Sequence, residues 1–289
     1  MKVVLFCGGL GMRLREYSEA IPKPMVPIGY RPILWHVMKY YAHFGHKDFI
    51  LCLGWNGNAI KEYFLGYNEC LSNDFVMSSG GAKIDLLSSD IDDWNITFVD
   101  TGANTCVGQR LKAVQPLLAG EDVFLANYSD GLTDMHLPDL IESRAQQEAV
   151  AAFLAVPPTA SFHAVTASDG CRVDRLESID RSGVWMNGGF FVLTHEIFRY
   201  MQDGEELVIE PFERLIAEKR LSCMKYRGFW SCMDTYKEKH QLDEMYARGD
   251  TPWELWKRFP ARGGATRGPR SQSRREAATG SFLGVVRKP

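Results

Sequence analysis

The chain has 289 residues, 45% of them hydrophobic and 24% charged, with a formal net charge of −3. That length suits one large α/β domain, or one with small additions, and the composition is that of a soluble globular protein. No stretch approaches the roughly 20 consecutive apolar residues of a membrane-spanning helix, and the seven scattered cysteines, with no Cys-x-x-Cys pair, argue against a disulfide framework or a zinc site.

Met1 to Phe6 is apolar but short and runs directly into glycines, unlike a signal peptide, so a cytoplasmic protein is expected. Lys2 to Cys7 (KVVLFC) predicts a buried parallel strand delivering the loop Gly8-Gly9-Leu10-Gly11. Pro32 stands where a helix over Ile33 to Phe44 could begin. Asp48 to Leu53 predicts a second buried strand, and Ala59 to Leu65 a helix. Gly66 to Trp94 is polar and irregular, an excursion from the sheet. Ile96 to Asp100 predicts a strand, Arg110 to Leu118 a helix, and Asp122 to Asn127 a buried strand ending in Tyr128-Ser129-Asp130-Gly131. A helix over Leu137 to Gln147, a strand over Ala149 to Val156 and an apolar run over Phe190 to Leu193 follow. This alternation predicts a parallel sheet with helices on its faces. His36, His43 and His46 cluster loosely, and packing or solvation on a helix is preferred over a metal site. From Lys257 to Pro289 the chain is rich in Gly, Arg, Ser and Ala, and Glu276 is the one acid. This stretch cannot build a core; a disordered appendage is expected after a domain spanning 1–256, with a polyanion-binding arm as the alternative.

Gly8-Gly9-Leu10-Gly11-Met12-Arg13-Leu14 follows its strand directly. Glycines let backbone N–H groups approach phosphate oxygens, and Arg13 can fork onto two of them. Leu14 stands where a dinucleotide fingerprint has its third glycine, and no Gly-Lys-Ser/Thr follows as in a Walker loop. Downstream, Pro22-Lys23-Pro24-Met25 holds a lysine between two prolines; Pro24 biases Lys23 toward an extended conformation, a fixed charge suited to a triphosphate.

Together, Gly-Gly-Leu-Gly-x-Arg-Leu and Pro-Lys-Pro-Met closely resemble the signature of the sugar-phosphate nucleotidylyltransferases. Pro32-Ile33-Leu34-Trp35-His36, Val99-Asp100-Thr101-Gly102, Arg110-Leu111-Lys112, Asn187-Gly188-Gly189-Phe190-Phe191, Gly228-Phe229-Trp230 and Met233-Asp234-Thr235 look like the glucose-1-phosphate cytidylyltransferase branch. The resemblance covers Met1 to Trp256. It implies a Rossmann-like α/β fold with a mixed, mostly parallel sheet and small β additions. It also implies a Mg²⁺-dependent reaction in which CTP and a sugar 1-phosphate give a CDP-sugar and pyrophosphate, with no nucleic-acid or membrane partner and commonly a homo-oligomer.

The resemblance assigns metal binding to Asp130 and Asp234 and catalysis to these two with Arg13 and Lys23. Alone, each aspartate reads equally as a cap or turn residue, but Mg²⁺ takes one or two carboxylates plus phosphate oxygens and waters. Gly8, Gly9, Leu10, Gly11, Met12, Arg13, Lys23, Thr101, Gly108 and Arg110 match nucleotide positions. Asn187, Gly188 and Glu210 match the sugar side, although Glu210 before Pro211 also reads as a helix N-terminal charge. Three departures stand out. Met12 replaces a small hydroxyl residue, and Ser129 replaces a glycine before the metal aspartate. Ser178, after Glu177, removes the lysine of the family's Glu-Lys-Pro, which grips the sugar phosphate; Arg172, Arg175 or Arg181 could substitute. A different phosphorylated acceptor and a catalytically weak nucleotide-binding homologue are the competing readings.

Overall fold

Lys2–Cys7, strand β1, explains why its sequence shows no polar alternation: both of its faces are buried. Val3, Leu5 and Cys7 enter one apolar cluster, while Val4 and Phe6 enter another on the opposite side. The computed structural model describes residues 1–9, 21–158 and 162–258. The basic stretch lies outside the described residues from Phe259 onward.

After β1 come the ribbon β2 (Pro27–Ile28) and β3 (Arg31–Pro32), the helix Ile33–His43, β4 (Asp48–Leu53) and the helix Gly57–Leu65. Next are β5 (Phe75–Ser78), β6 (Lys83–Leu86), β7 (Asn95–Asp100), the helix Val107–Ala113, β8 (Val123–Tyr128), β9 (Gly131–Thr133), the helix Leu137–Gln146 and β10 (Ala151–Val156). The hairpin β11 (His163–Ala167) and β12 (Val173–Ser178), then β13 (Met186–Asn187), β14 (Phe191–Thr194), the helix Glu210–Ala217, β15 (Leu221–Lys225), β16 (Trp230–Cys232) and the helix Tyr236–Ala247 follow.

Among the described residues, eight strands form the central sheet. Its middle runs β8, β1, β4, β7, all parallel. β14 joins β8 antiparallel, β10 joins β14 antiparallel, and β15 lies parallel to β10. The sheet is therefore mixed and mostly parallel. β13 pairs with β10 beside β14, and Gly188-Gly189-Phe190 interrupt the two. There Gly189 and Phe190 have φ of 76° and 53°, and the Phe190 N–H donates to the buried Asn127 Oδ1 at 2.9 Å. A bulky residue is rarely left-handed; this hydrogen bond and the burial of the Phe190 ring hold it there.

The helix Ile33–His43 packs Ile33, Leu34, Val37, Met38 and Tyr41 into the first cluster, and Leu111, Leu207, Phe212 and Leu215 belong to the second. The predicted helix over Arg110 to Leu118 is instead an α-helix ending at Ala113 and a 3-10 turn over Gln115–Leu118. Pro116 is the reason, since it has no N–H and its ring clashes with the carbonyl one turn back. Among the described residues, 67–92 separate as a compact unit from the rest. Within it, β5 pairs with β6, and Glu69 accepts the N–H groups of Asp90 and Ile91, both at 2.9 Å. The stretch read as irregular thus has its own hairpin.

Candidate active site

β1 and β8 deliver their C-terminal ends, and β7 the loop that follows it, to one cleft of about 620 Å³. Gly8, Gly9, Lys23, Arg110, Asp130 and Asp234 line it, along with Phe6, Tyr128, Ser129, Glu206 and the loop Ala103–Cys106. Leu10, Gly11, Met12 and Arg13 lie outside the described residues.

Two distant aspartates meet because of a short ladder. Asp130 follows β8, and β9 immediately pairs with β16, placing Cys232 opposite Gly131. The Met233 N–H then donates to the Asp130 carbonyl at 3.0 Å, so Asp234 emerges beside Asp130. Beyond it, Thr235 and Glu238 form a capping box on the helix Tyr236–Ala247, and the Asp234 N–H donates to Glu238 Oε2 at 2.7 Å. The backbone on either side of Asp234 is thereby fixed. Ser129 does the same for Asp130: its Oγ donates to the Phe6 carbonyl at 2.9 Å, tying β8 to β1. The serine that replaces the family's glycine fits its position with a bond of its own.

Lys23 opens a 3-10 turn, Lys23–Met25, rather than an extended segment. The Met25 N–H to Pro22 carbonyl bond of 2.8 Å and the Val26 N–H to Lys23 carbonyl bond of 3.1 Å favour the turn. Its ammonium pairs with both Asp130 and Asp234, and its side chain is 13% exposed. Burial by itself lowers the affinity of this amine for its proton, but the attraction of Asp130 and Asp234 outweighs it, and the net shift is upward. The carboxylates are 21% and 40% exposed.

Arg110 is held differently. It is 3% exposed. Nη1 donates to the Leu53 carbonyl at 3.0 Å and Thr101 Oγ1 at 2.7 Å. Nη2 donates to the carbonyls of Gly8 at 3.0 Å and Ala103 at 3.3 Å. The guanidinium therefore stitches together the ends of β1, β4 and β7. A Cβ on Gly8 would lie 2.0 Å from Arg110 Nη1, so a larger residue there would have to displace the guanidinium from its bonds. Thr101 also donates its Oγ1 to Leu53 at 2.7 Å and belongs to this knot, not to the cleft wall. Gly108 lies behind the wall too, where a Cβ would meet the Glu205 carbonyl at 2.3 Å.

The sugar-side positions are not gathered into the lining. Asn187 Oδ1 accepts the Gly189 N–H at 2.9 Å, and the Gly188 carbonyl accepts Trp230 Nε1 at 2.9 Å. Glu210 opens its helix and accepts the Glu206 N–H at 3.1 Å, so Glu206 reaches the cleft instead. Arg172, Arg175 and Arg181 are exposed and none lines the cleft; Arg175 pairs with Glu177 at 2.8 Å. His36 is packed. Nε2 lies 3.2 Å from the Ile28 carbonyl, and Nδ1 accepts Trp253 Nε1 at 3.3 Å. Burial lowers its pKa to about 4, leaving a neutral core residue. Tyr128 and Glu206 were not legible as site residues, because neither carries a local motif. Burial and then Glu206 push the Tyr128 phenol up to about 12.

Residues 2–235 match the family model described as nucleotidyl transferase. The chain belongs to the nucleotidyl transferase family. Within it, this nucleotidyl transferase is 36% identical over 257 residues to the glucose-1-phosphate cytidylyltransferase of Salmonella typhi, covering 89% of this chain and 100% of the relative. It is a sugar-phosphate nucleotidylyltransferase close to that branch. Its fold is similar to the solved structure of HddC from Yersinia pseudotuberculosis complexed with GMP-PN, with a TM-score of 0.60, 18% identity and coverage of 85% and 99% of the two chains. It is also similar to a UDP-glucose pyrophosphorylase complexed with UDP-glucose, with a TM-score of 0.63, 15% identity and coverage of 86% and 98%. Enzymes of this family generally use divalent metal ions. Among the described residues no group of three or more His, Cys, Asp or Glu could hold a metal. Helices long and apolar enough to cross a membrane are absent among the described residues.

Proposed function

We propose that this enzyme transfers the cytidylyl group of CTP to glucose 1-phosphate, giving CDP-glucose and pyrophosphate. The convergence of Lys23, Asp130 and Asp234 in one cleft carries the reading, and the identity to glucose-1-phosphate cytidylyltransferases supplies the base and acceptor.

Asp130 and Asp234 fit a hard divalent cation such as Mg²⁺, since their carboxylates aim at one point where a positive charge, the Lys23 ammonium, already rests. Held there by Asp130 and Asp234, the ion would supply positive charge that offsets the phosphate charge building in the transition state. The acceptor phosphate is already an anionic nucleophile, so no strong base is needed. Its oxygen bonds to the α-phosphorus as the bond to the bridging oxygen breaks, and that electron pair leaves with pyrophosphate. Positioning and fixed positive charge lower the barrier. Lys23 supplies one such charge at the α-phosphate. Arg13, outside the described residues, is assigned the departing pyrophosphate. Gly8 and Gly9 border the nucleotide, and Arg110 holds the loops that shape its bed. We place the enzyme in the cytoplasm as a homo-oligomer, and light scattering tests the oligomeric state.

The deciding experiment crosses CTP, UTP, dTTP, ATP and GTP with several sugar 1-phosphates and non-sugar phosphates, with and without Mg²⁺, and reads pyrophosphate. The largest Mg²⁺-dependent release is expected from CTP with glucose 1-phosphate. Silence with CTP across every acceptor sinks the proposal. A different phosphorylated acceptor is the second reading; it is favoured by Ser178 and by the absence of Arg172, Arg175 and Arg181 from the cleft lining.

A further inference from the structure

The cleft straddles the C-terminal edge of the sheet, and its two ends are chemically unlike. Lys23 and Asp234 adjoin Val26, Ile28 and Met233, which pack in the cluster on one face of the sheet. Glu206 stands over the other face, beside Leu207 and against the helix Val107–Ala113. Its Oε2 accepts the Val107 N–H at 3.2 Å, and its Oε1 accepts the Leu207 N–H at 3.1 Å. A carboxylate oxygen has two acceptor sites, so each keeps one beyond these bonds.

A fixed negative charge is repelled by a triphosphate, so this end of the cleft must face a different part of the substrate. Phe6 and Tyr128 line the same cleft, with ring centroids 6.3 Å apart. Aromatic walls with one hydrogen-bonding group describe a pocket for a base rather than for a phosphate or a sugar alone. The pyrimidines differ in what they offer an acceptor there. Cytosine presents an amino donor at position 4, and uracil presents a carbonyl acceptor, which a carboxylate opposes.

We propose that Glu206 is the residue that selects cytosine, accepting a hydrogen bond from its 4-amino group and excluding uracil by oxygen–oxygen repulsion. This rests on the nucleotide binding in the cleft as described above, and adds a reader of the base, which the motifs of the sequence do not supply.

The test compares kcat/KM for CTP, UTP and the 2-pyrimidinone ribonucleoside triphosphate, which is CTP without its amino group. Wild-type enzyme should favour CTP over both by at least about ten-fold, the discrimination one buried hydrogen-bonding group supports. Glu206→Gln puts an NH₂ donor in place of one oxygen, giving up one of the two backbone bonds but able to donate to a carbonyl, so the CTP to UTP ratio should narrow by at least about five-fold. A folded Glu206→Gln enzyme with an unchanged ratio overturns the inference. So does an equal loss with all three nucleotides, or a loss that follows removal of the ribose hydroxyl in dCTP. If Glu206→Gln fails to fold by circular dichroism, the wild-type comparison decides, because equal turnover with and without the amino group overturns it. A wild-type enzyme that releases no pyrophosphate from CTP is a different failure, that of the cytidylyl-transfer reading itself.

Discussion

Two cations line the same cleft and are held in opposite ways. Lys23 is balanced by two carboxylates, so its partners are groups that other cations also want. Arg110 is balanced by the carbonyls of Gly8, Leu53 and Ala103 and by the Thr101 hydroxyl, none of which carries a charge. The Lys23 arrangement is an ion cluster at the cleft surface; the Arg110 arrangement is a hydrogen-bonded brace between the strand ends. The contrast is one of partners, carboxylates for Lys23 and neutral oxygens for Arg110, and it can be tested at each.

The sharpest way to break this comparison is at the carboxylates. Asp130→Asn and Asp234→Asn each remove an ionic partner while keeping the shape, and each should slow pyrophosphate release by about 10²–10³-fold, the typical loss on deleting one preorganised electrostatic group. Lys23→Met should slow release comparably and at the same time bind Mn²⁺ more tightly without nucleotide, because the competing ammonium is gone. Titration of free Mn²⁺ by electron paramagnetic resonance reads this directly. Unchanged Mn²⁺ affinity in a folded Lys23→Met protein would show that Lys23 and the metal do not share their ligands.

Arg110→Met addresses the other cation. It deprives buried carbonyls of a charged donor, and should destabilise the fold by about 3 kcal/mol, roughly what one or two bonds to a charged group contribute. Chemical denaturation measures it. If stability holds and only the KM for nucleotide rises, Arg110 is a ligand and not a brace. Gly108→Ala acts at the same wall. Its Cβ would fall 2.3 Å from the Glu205 carbonyl, so the loop must move, at a cost of about 1–3 kcal/mol.

This division also marks how far the chain could be read in advance. β1 and β4 were legible to the residue, because strands buried on both faces are unbroken apolar runs ended by glycine. Asp130 and Asp234 were named through motif resemblance, but their meeting depends on the β9–β16 ladder, a long-range pairing that no local pattern encodes. Arg110 was named as a nucleotide position through the resemblance; that it also bonds to the carbonyls of Gly8, Leu53 and Ala103 at the cleft wall comes from long-range packing that no local pattern encodes. Lys23 was expected to be extended from its flanking prolines, and the structure shows a turn closed by bonds to Pro22 and from Val26. Glu206 was unreadable because one glutamate in a loop carries no periodicity and its role comes from what folds over it.

The smallest effect probes the carboxylate end itself. Ser129 donates to the Phe6 carbonyl from a side chain that is almost fully buried, and this bond fixes the residue just before Asp130. Ser129→Gly restores the residue expected from the family pattern and removes that bond while adding backbone freedom. Stability should fall by about 1–2 kcal/mol, the sum of one net hydrogen bond and the entropy of a glycine. Turnover should change less than in the aspartate variants, since the β9–β16 ladder still holds Asp130 from its other side through the Met233 N–H. Ser129→Ala separates the two contributions, because it loses the bond but not the backbone restraint. Equal turnover in Ser129→Ala and wild type, with lower stability, would place the serine wholly in the frame. A drop in turnover in both variants would mean that the aspartate needs both anchors to meet its partner, and would extend the working part of the cleft one residue back toward β8.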